Sequence, residues 1–196
     1  MRKMNTPVKF AKLPLLLLLV SALLFASAQE DKGETYLCQN GMIHFFSATA
    51  MENIDATSNT AVCAMNTKSK KVVARVKQTS FTFKDKLMQE HFNENYMESE
   101  KYPMSNLDMV IAEDIDFSKD GTYQITLKGT LEMHGVKKER EIKGTLVIKN
   151  GQVNAKAVFM VKLADHNIKI PSVVGANIAE DVKVDVDFNL NKAGKK

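Results

Sequence analysis

No tryptophan occurs in the 196 residues, and there are only two cysteines, Cys38 and Cys63. One internal disulfide is therefore the most the chain can form. His44, His91, His134 and His166 include no pair at i, i+3 or i, i+4, and neither cysteine has a close ligand partner, so a metal site is not expected. The chain has no G-x-S-x-G elbow. It also has no nucleophile with a placed base, which removes the usual grounds for covalent catalysis. Acid clusters such as Glu113-Asp114-Asp116 and Glu98-Glu100 read as solvated loops, because nothing sets them in apolar context. Neither an enzyme nor a cofactor is expected. Internal repeats and low-complexity segments are missing too, which fits a single domain.

Long apolar runs are also lacking. Residues 13–25 form the longest, broken by Pro14 and Ser21, and fall short of the roughly 20 residues that span a bilayer. The run follows Arg2, Lys3, Lys9 and Lys12 and precedes Ala26-Ser27-Ala28, an A-x-A cleavage site. Residues 1–28 are therefore expected to be a signal peptide cleaved near Ala28, an uncleaved anchor being the disfavoured alternative. No cysteine ends the run, which argues against a lipoprotein. Export to the periplasm or the medium follows, with residues 29–196 as one domain of a size that can bury a core.

Cleavage also changes the charge. Removing those four cations takes the 27 basic residues to 23, equal to the 23 acidic ones, so the formal net charge of +4 disappears. The grounds for expecting nucleic acid or an anionic membrane as partner go with it. Lys70-Lys71, Lys137-Lys138 and Lys195-Lys196 read as solvated turns and a tail. The charged lysine terminus and the short strands with one charged face also argue against an outer-membrane barrel.

What the chain does have is period-2 alternation. Residues 36–39 and 42–49 read as a first strand or two, divided at Asn40-Gly41, a turn or bulge signal. Residues 61–65 and 72–83 follow, with a phase slip near 78–80 that a bulge would explain. Residues 52–59 look like a turn, which would set Cys38 and Cys63 in a hairpin where they can pair, or leave them as two half-buried thiols. Pairing would stabilise by about 3.5 kcal/mol on the chain-entropy model. Downstream strands carry Leu107, Met109 and Ile111, then Tyr123 to Met133, then Ile142 to Ile148. After the Asn150-Gly151 turn come residues 153–163, and last the strictly alternating 182–190. About eight such strands joined by short turns give a sandwich or a closed antiparallel barrel. Its interior would be packed with side chains or hold one elongated ligand.

Only residues 87–103 read as helix. Met88, Phe92 and Tyr96 recur every four residues with Leu87 beside them, and Gln89, Glu90, Asn93, Glu94 and Glu98 fall on other faces. Pro103 ends the pattern. A lone amphipathic helix, placed at about residues 86–98, must lay its stripe on something apolar, and the end of the barrel is the obvious candidate.

Three segments resemble the YceI-like family of exported, lipocalin-like barrels. EHFNENYMESEKYP is similar to the family's H-L-x-S-x-D-F-x-x-x-x-Y-P segment, and GTLEMHGVKKERE to its G-x-L-T-L-H-G-V-T-K signature. Leu163-Ala164-Asp165-His166-Asn167-Ile168 resembles its strand–turn L-x-D-F-N-I, followed by a loop and a closing V-x-V-x-V strand. The resemblance covers residues 72–190. It departs at the start, where GMIHFFSATAMENIDATSN lacks the family's G-x-F turn. It implies an all-β, eight-stranded antiparallel barrel enclosing a long polyisoprenoid, such as a quinone tail or a polyprenyl lipid, and implies no catalytic residues.

On this reading the lumen is lined by Phe81, Phe83, Met88, Phe92, Tyr96, Met109, Ile111 and Phe159, while His134 hydrogen-bonds its own tight turn. Residues 29–196 hold nine of the eleven methionines and eight of the ten phenylalanines, side chains that adapt to a flexible apolar guest. Burying about 600 Å² of such a guest is worth on the order of 15 kcal/mol before ordering costs. The competing reading is a ligand-free envelope interaction or stress-protective barrel with a filled interior, since pockets and cores share composition. The oligomeric state, a homodimer included, stays open.

Overall fold

Alternating apolar and polar residues build long strands whose apolar faces meet inside a closed ring. The computed structural model describes residues 33–49, 53–170 and 179–194. The expected signal peptide and its cleavage site lie outside the described residues. All of those described belong to one compact unit, Lys32–Lys196.

The strands are β1 (Thr35–Ala48), β2 (Asn53–Asn66), β3 (Lys71–Lys77), β4 (Thr82–Phe83), β5 (Met104–Ile111), β6 (Gly121–Met133), β7 (Val136–Lys149), β8 (Gln152–Lys162) and β9 (Asp181–Lys192). Their order is β1-β9-β8-β7-β6-β5-β3-β2, and β2 pairs with β1 to close the ring. Every pairing is antiparallel. The two-residue β4 pairs with β2 at Ala56↔Phe83 and Thr57↔Thr82, prolonging the line of β3. The expected eight-stranded barrel is what forms.

Local expectations change in three places. Asn40-Gly41 does not divide a strand: β1 runs through it, with register shifts on either side of Gly41. The bulge switches the inward set from Tyr36 and Cys38 to Ile43, Phe45 and Ser47. Gly41 is needed there, because a Cβ would sit 2.2 Å from the Phe188 ring. Residues 53–59 are not a turn but the first half of β2, so Cys38 and Cys63 face each other in register. The slip at residues 78–80 is a 3-10 turn rather than a bulge, and it delivers Phe81 and Phe83 inward.

Two hairpin turns follow their sequence signals. His134-Gly135 (φ 51° and 73°) and Asn150-Gly151 (φ 52° and 76°) each join paired strands through two residues in the left-handed region. A Cβ on Gly135 would also lie 2.6 Å from the Tyr102 ring.

The helix is shorter than its pattern. α1 spans Lys86–His91 and starts at Asp85, whose Oδ1 accepts from the amides of Leu87 (2.7 Å) and Met88 (3.1 Å). It continues as a π-helical turn, Phe92–Tyr96, closed by Met97 N–H donating to the Phe92 carbonyl at 2.8 Å. The wider turn brings Met97 inward after Met88 and Phe92 and buries it to 5 % exposure. Leu87, expected beside the stripe, is instead exposed.

Candidate functional site

Tyr36, Met65, Ile111, Ile148, Val153 and Leu190 pack the barrel end that lies away from α1, each at 2 % exposure or less. The Phe117 ring stands 6.1 Å from that of Tyr36. Between this packed end and α1 lies a cavity of about 300 Å³. That is the lower bound of typical small-molecule pockets.

Its roof is an aromatic cluster. Phe92, which opens the π turn after α1 (the two together form a lid over this end), stacks on Phe45 of β1 (5.4 Å, 23°) and meets Phe81 at 5.8 Å and Phe83 at 5.1 Å. Phe45 in turn contacts Phe81 and Phe83. Four rings from three stretches of chain thus hold the lid down, each pair adding about 0.5–1.5 kcal/mol beyond burial.

Of the residues expected to line the lumen, Phe81, Phe83, Met88, Phe92, Tyr96, Ile111 and Phe159 border the cavity. Met109 does not: it is buried, at 1 % exposure, but does not border the cavity. Leu107, Leu127 and Val184 of the alternating apolar faces also border it, as do Phe45 and Met97, which the sequence pattern did not single out. Phe45 was hidden by the phase switch at Gly41, and Met97 by the π turn. Few polar groups face the space. Gln78 Nε2 donates to Ser105 Oγ at 2.5 Å, and both side chains are buried. Ser47 Oγ accepts from the Ala179 amide.

The lid is fastened by a clasp over the same end. Contrary to the expectation that His134 bonds its own turn, its ring lies between two oxygens contributed by other loops. Nδ1 lies 3.1 Å from the His166 carbonyl oxygen and Nε2 lies 2.8 Å from Glu98 Oε2. Tyr102 packs edge-on against the imidazole at 4.5 Å. Glu98 and Tyr102 follow the lid, His134 sits in the β6–β7 turn, and His166 ends the 3-10 turn Leu163–His166 after β8. All three family-like segments therefore converge on one device that ties three loops together.

His166 is fully buried, and its Nδ1 donates to the Val136 carbonyl at 3.1 Å. Burial pushes its imidazole below the ordinary 6.5, against the pull of the Val136 and Met133 carbonyls. An unfolded chain therefore takes up the proton first as pH falls, so this group's contribution to stability shrinks below about pH 6.5. The wild type's stability advantage over His166→Asn should accordingly diminish between about pH 7.5 and 5.5. Urea midpoints of both proteins across that range check it, and a constant difference would count against the neutral, buried assignment.

Cys38 and Cys63 are both buried and stand as thiols, and Cys63 borders the cavity. Burial, with Cys38 adding to it, pushes the Cys63 thiol up to about 12, which makes it a poor nucleophile in the folded state. Among the described residues no group of three metal-ligating side chains occurs, and no helix is long and apolar enough to cross a membrane.

Solved structures share this architecture. A polyisoprenoid-binding domain from Saccharophagus degradans, implicated in plant cell wall breakdown, superposes with a TM-score of 0.69 at 11% identity, over 81% of this chain and 98% of that one. Burkholderia cenocepacia BcnA gives 0.61 at 14% identity, over 76% and 95%. The Campylobacter jejuni YCEI protein gives 0.53 at 16% identity, over 76% and 85%. At these identities the likeness concerns the fold. No curated protein matches the chain. The YceI-like domain model matches residues 39–190, well over half of the sequence, and the chain belongs to the YceI-like family.

Proposed function

We propose that this protein is an exported carrier that holds a polyisoprenoid, of quinone or polyprenyl type, or a similar long apolar chain inside its barrel. The observation that carries the reading is the cavity of about 300 Å³, walled by aliphatic and aromatic side chains beneath a hydrophobic lid. A barrel serving only as an interaction module has no use for such a void, since each missing contact costs stability. The Saccharophagus neighbour, described as a polyisoprenoid-binding domain, supports the same ligand class. Among the described residues the cavity lining is overwhelmingly apolar, which supports binding of an apolar guest. Export rests on residues 1–28, with cleavage near Ala28 releasing the barrel to the periplasm or medium.

Titrating the mature protein with a fluorescent polyprenyl probe tests the reading. Saturable uptake at about micromolar or tighter affinity, competed by unlabelled polyprenol or quinone, is expected. Absence of saturable uptake would overturn it.

A further inference from the structure

One stretch of the barrel wall is not zipped. β7 is 14 residues long, yet its register with β8 runs only from Gly144↔Ala157 to Lys149↔Gln152. Beyond Gly144, residues 136–143 of β7 continue pairing with β6, and residues 158–162 of β8 continue pairing with β9, but the two are not paired with each other. The β2–β3 ladder is also short, Val62↔Arg75 to Met65↔Val72 with β4 resuming it at Ala56 and Thr57, whereas β6–β7 and β8–β9 are paired along nearly their whole lengths. The chemistry of this part of β7 suits an edge: residues 137–141 are Lys-Lys-Glu-Arg-Glu, five successive charges of the kind that discourage pairing.

Two side chains stand in for the missing ladder. The Arg140 guanidinium crosses from β7 and donates through Nη2 to the Met160 carbonyl on β8, while Nη1 lies 3.7 Å from Asp165 Oδ2. Higher up, His166 Nδ1 donates to the Val136 carbonyl. Both stitches are made by side chains, so they can open without breaking a cooperative run of backbone hydrogen bonds.

The seam separates the cavity from the outside. Phe159 and Val161 on the β8 side, and Ile142 on the β7 side, border the cavity. On the outer face of the same segment, Val158 and Met160 are 58 % and 48 % exposed. On its β8 side a path across the seam would thus meet apolar side chains on both faces, while the β7 side is apolar only inside, at Ile142. The barrel ends offer less: one is packed, and the other is roofed by the four-phenylalanine cluster and the clasp.

We propose that the β7/β8 seam is a lateral gate through which the apolar chain enters and leaves the lumen, with Arg140 as its latch. The inference rests on the carrier reading above. Arg140 acts as a positioning residue: it holds two strand edges together and need not touch the ligand. Its loss lowers the barrier to opening without altering the lining, so loading and release should accelerate together while affinity stays the same.

Stopped-flow loading and release of a fluorescent polyprenyl probe, compared between wild type and Arg140→Gln, test this. Losing one charge-assisted hydrogen bond predicts both rates rising by about tenfold, with the dissociation constant within about twofold of wild type. Unchanged rates in a folded, probe-binding variant would overturn the gate and leave the carrier reading intact. If the wild type binds no probe, both fall. Should Arg140→Gln fail to fold, amide exchange of the wild type decides. Residues 158–162 should exchange faster than residues 152–157 and slow on loading, and equal protection of the two segments would overturn the gate.

Discussion

Phe92→Asp is expected to abolish loading of the barrel. Phe92 touches Phe45, Phe81 and Phe83 within a cluster that fixes the lid over the cavity, so the substitution removes three ring contacts at once. Truncating a packed phenylalanine costs about 3–5 kcal/mol. A carboxylate in its place has no partner among those rings and must carry its hydration with it or take up a proton. The lid should therefore swing outward, placing the new carboxylate in water and opening the roof of the cavity. Probe binding should weaken by at least about a hundredfold, the equivalent of roughly 3 kcal/mol. The barrel itself, built on its ladders, should survive, as far-ultraviolet circular dichroism would show. Phe92→Leu, which keeps the apolar contact without the charge, should retain most of the affinity. A folded Phe92→Asp protein that loads like the wild type would remove the lid from the binding site.

The second large effect concerns Cys38 and Cys63, which are direct cross-strand partners in β1 and β2. Opposed residues in an antiparallel pair have Cα atoms about 4.5–5.5 Å apart, inside the range a disulfide spans. In an oxidising compartment we expect them to be joined. Because the folded Cys63 thiol is held up near 12, the bond should form before the barrel closes rather than after it. The cross-link should stabilise by about 3.5 kcal/mol on the chain-entropy model. Protein recovered from an oxidising compartment should have a mass lower by two hydrogens and a denaturation midpoint that falls on reduction. The Cys38→Ser, Cys63→Ser protein should resemble the reduced form and ignore the reductant. Equal midpoints with and without reductant in the wild type would show that the pair stays open.

Much of the barrel was legible because strand alternation and turn chemistry are local. Asn150-Gly151 marks its hairpin without outside help, as does the strict alternation of β9. The lid was legible as a stripe, since Met88 and Phe92 recur at helical spacing. Its end was not, because a π turn is decided by packing and shifted the inward position to Met97. β1 was misread for a similar reason: the bulge at Gly41 exchanges inward and outward sets, which concealed Phe45.

The clasp depends on contacts that no local pattern reveals. Glu98 lies 36 residues before His134, and His166 lies 32 after it. The likeness in those segments pointed to the right family while suggesting the wrong role for His134. The open seam did leave a trace in the sequence. Five consecutive charges in a strand that should be flanked on both sides are the signature of an edge. Only the register shows which neighbour is missing.

The central claim is that the lumen holds an apolar chain, and mass spectrometry of lipids extracted from gently purified mature protein tests it most directly. A polyisoprenoid or similar long-chain lipid in near-stoichiometric amount is the predicted result. Protein that is reproducibly empty, and that takes up neither quinone nor polyprenol when offered, would contradict it.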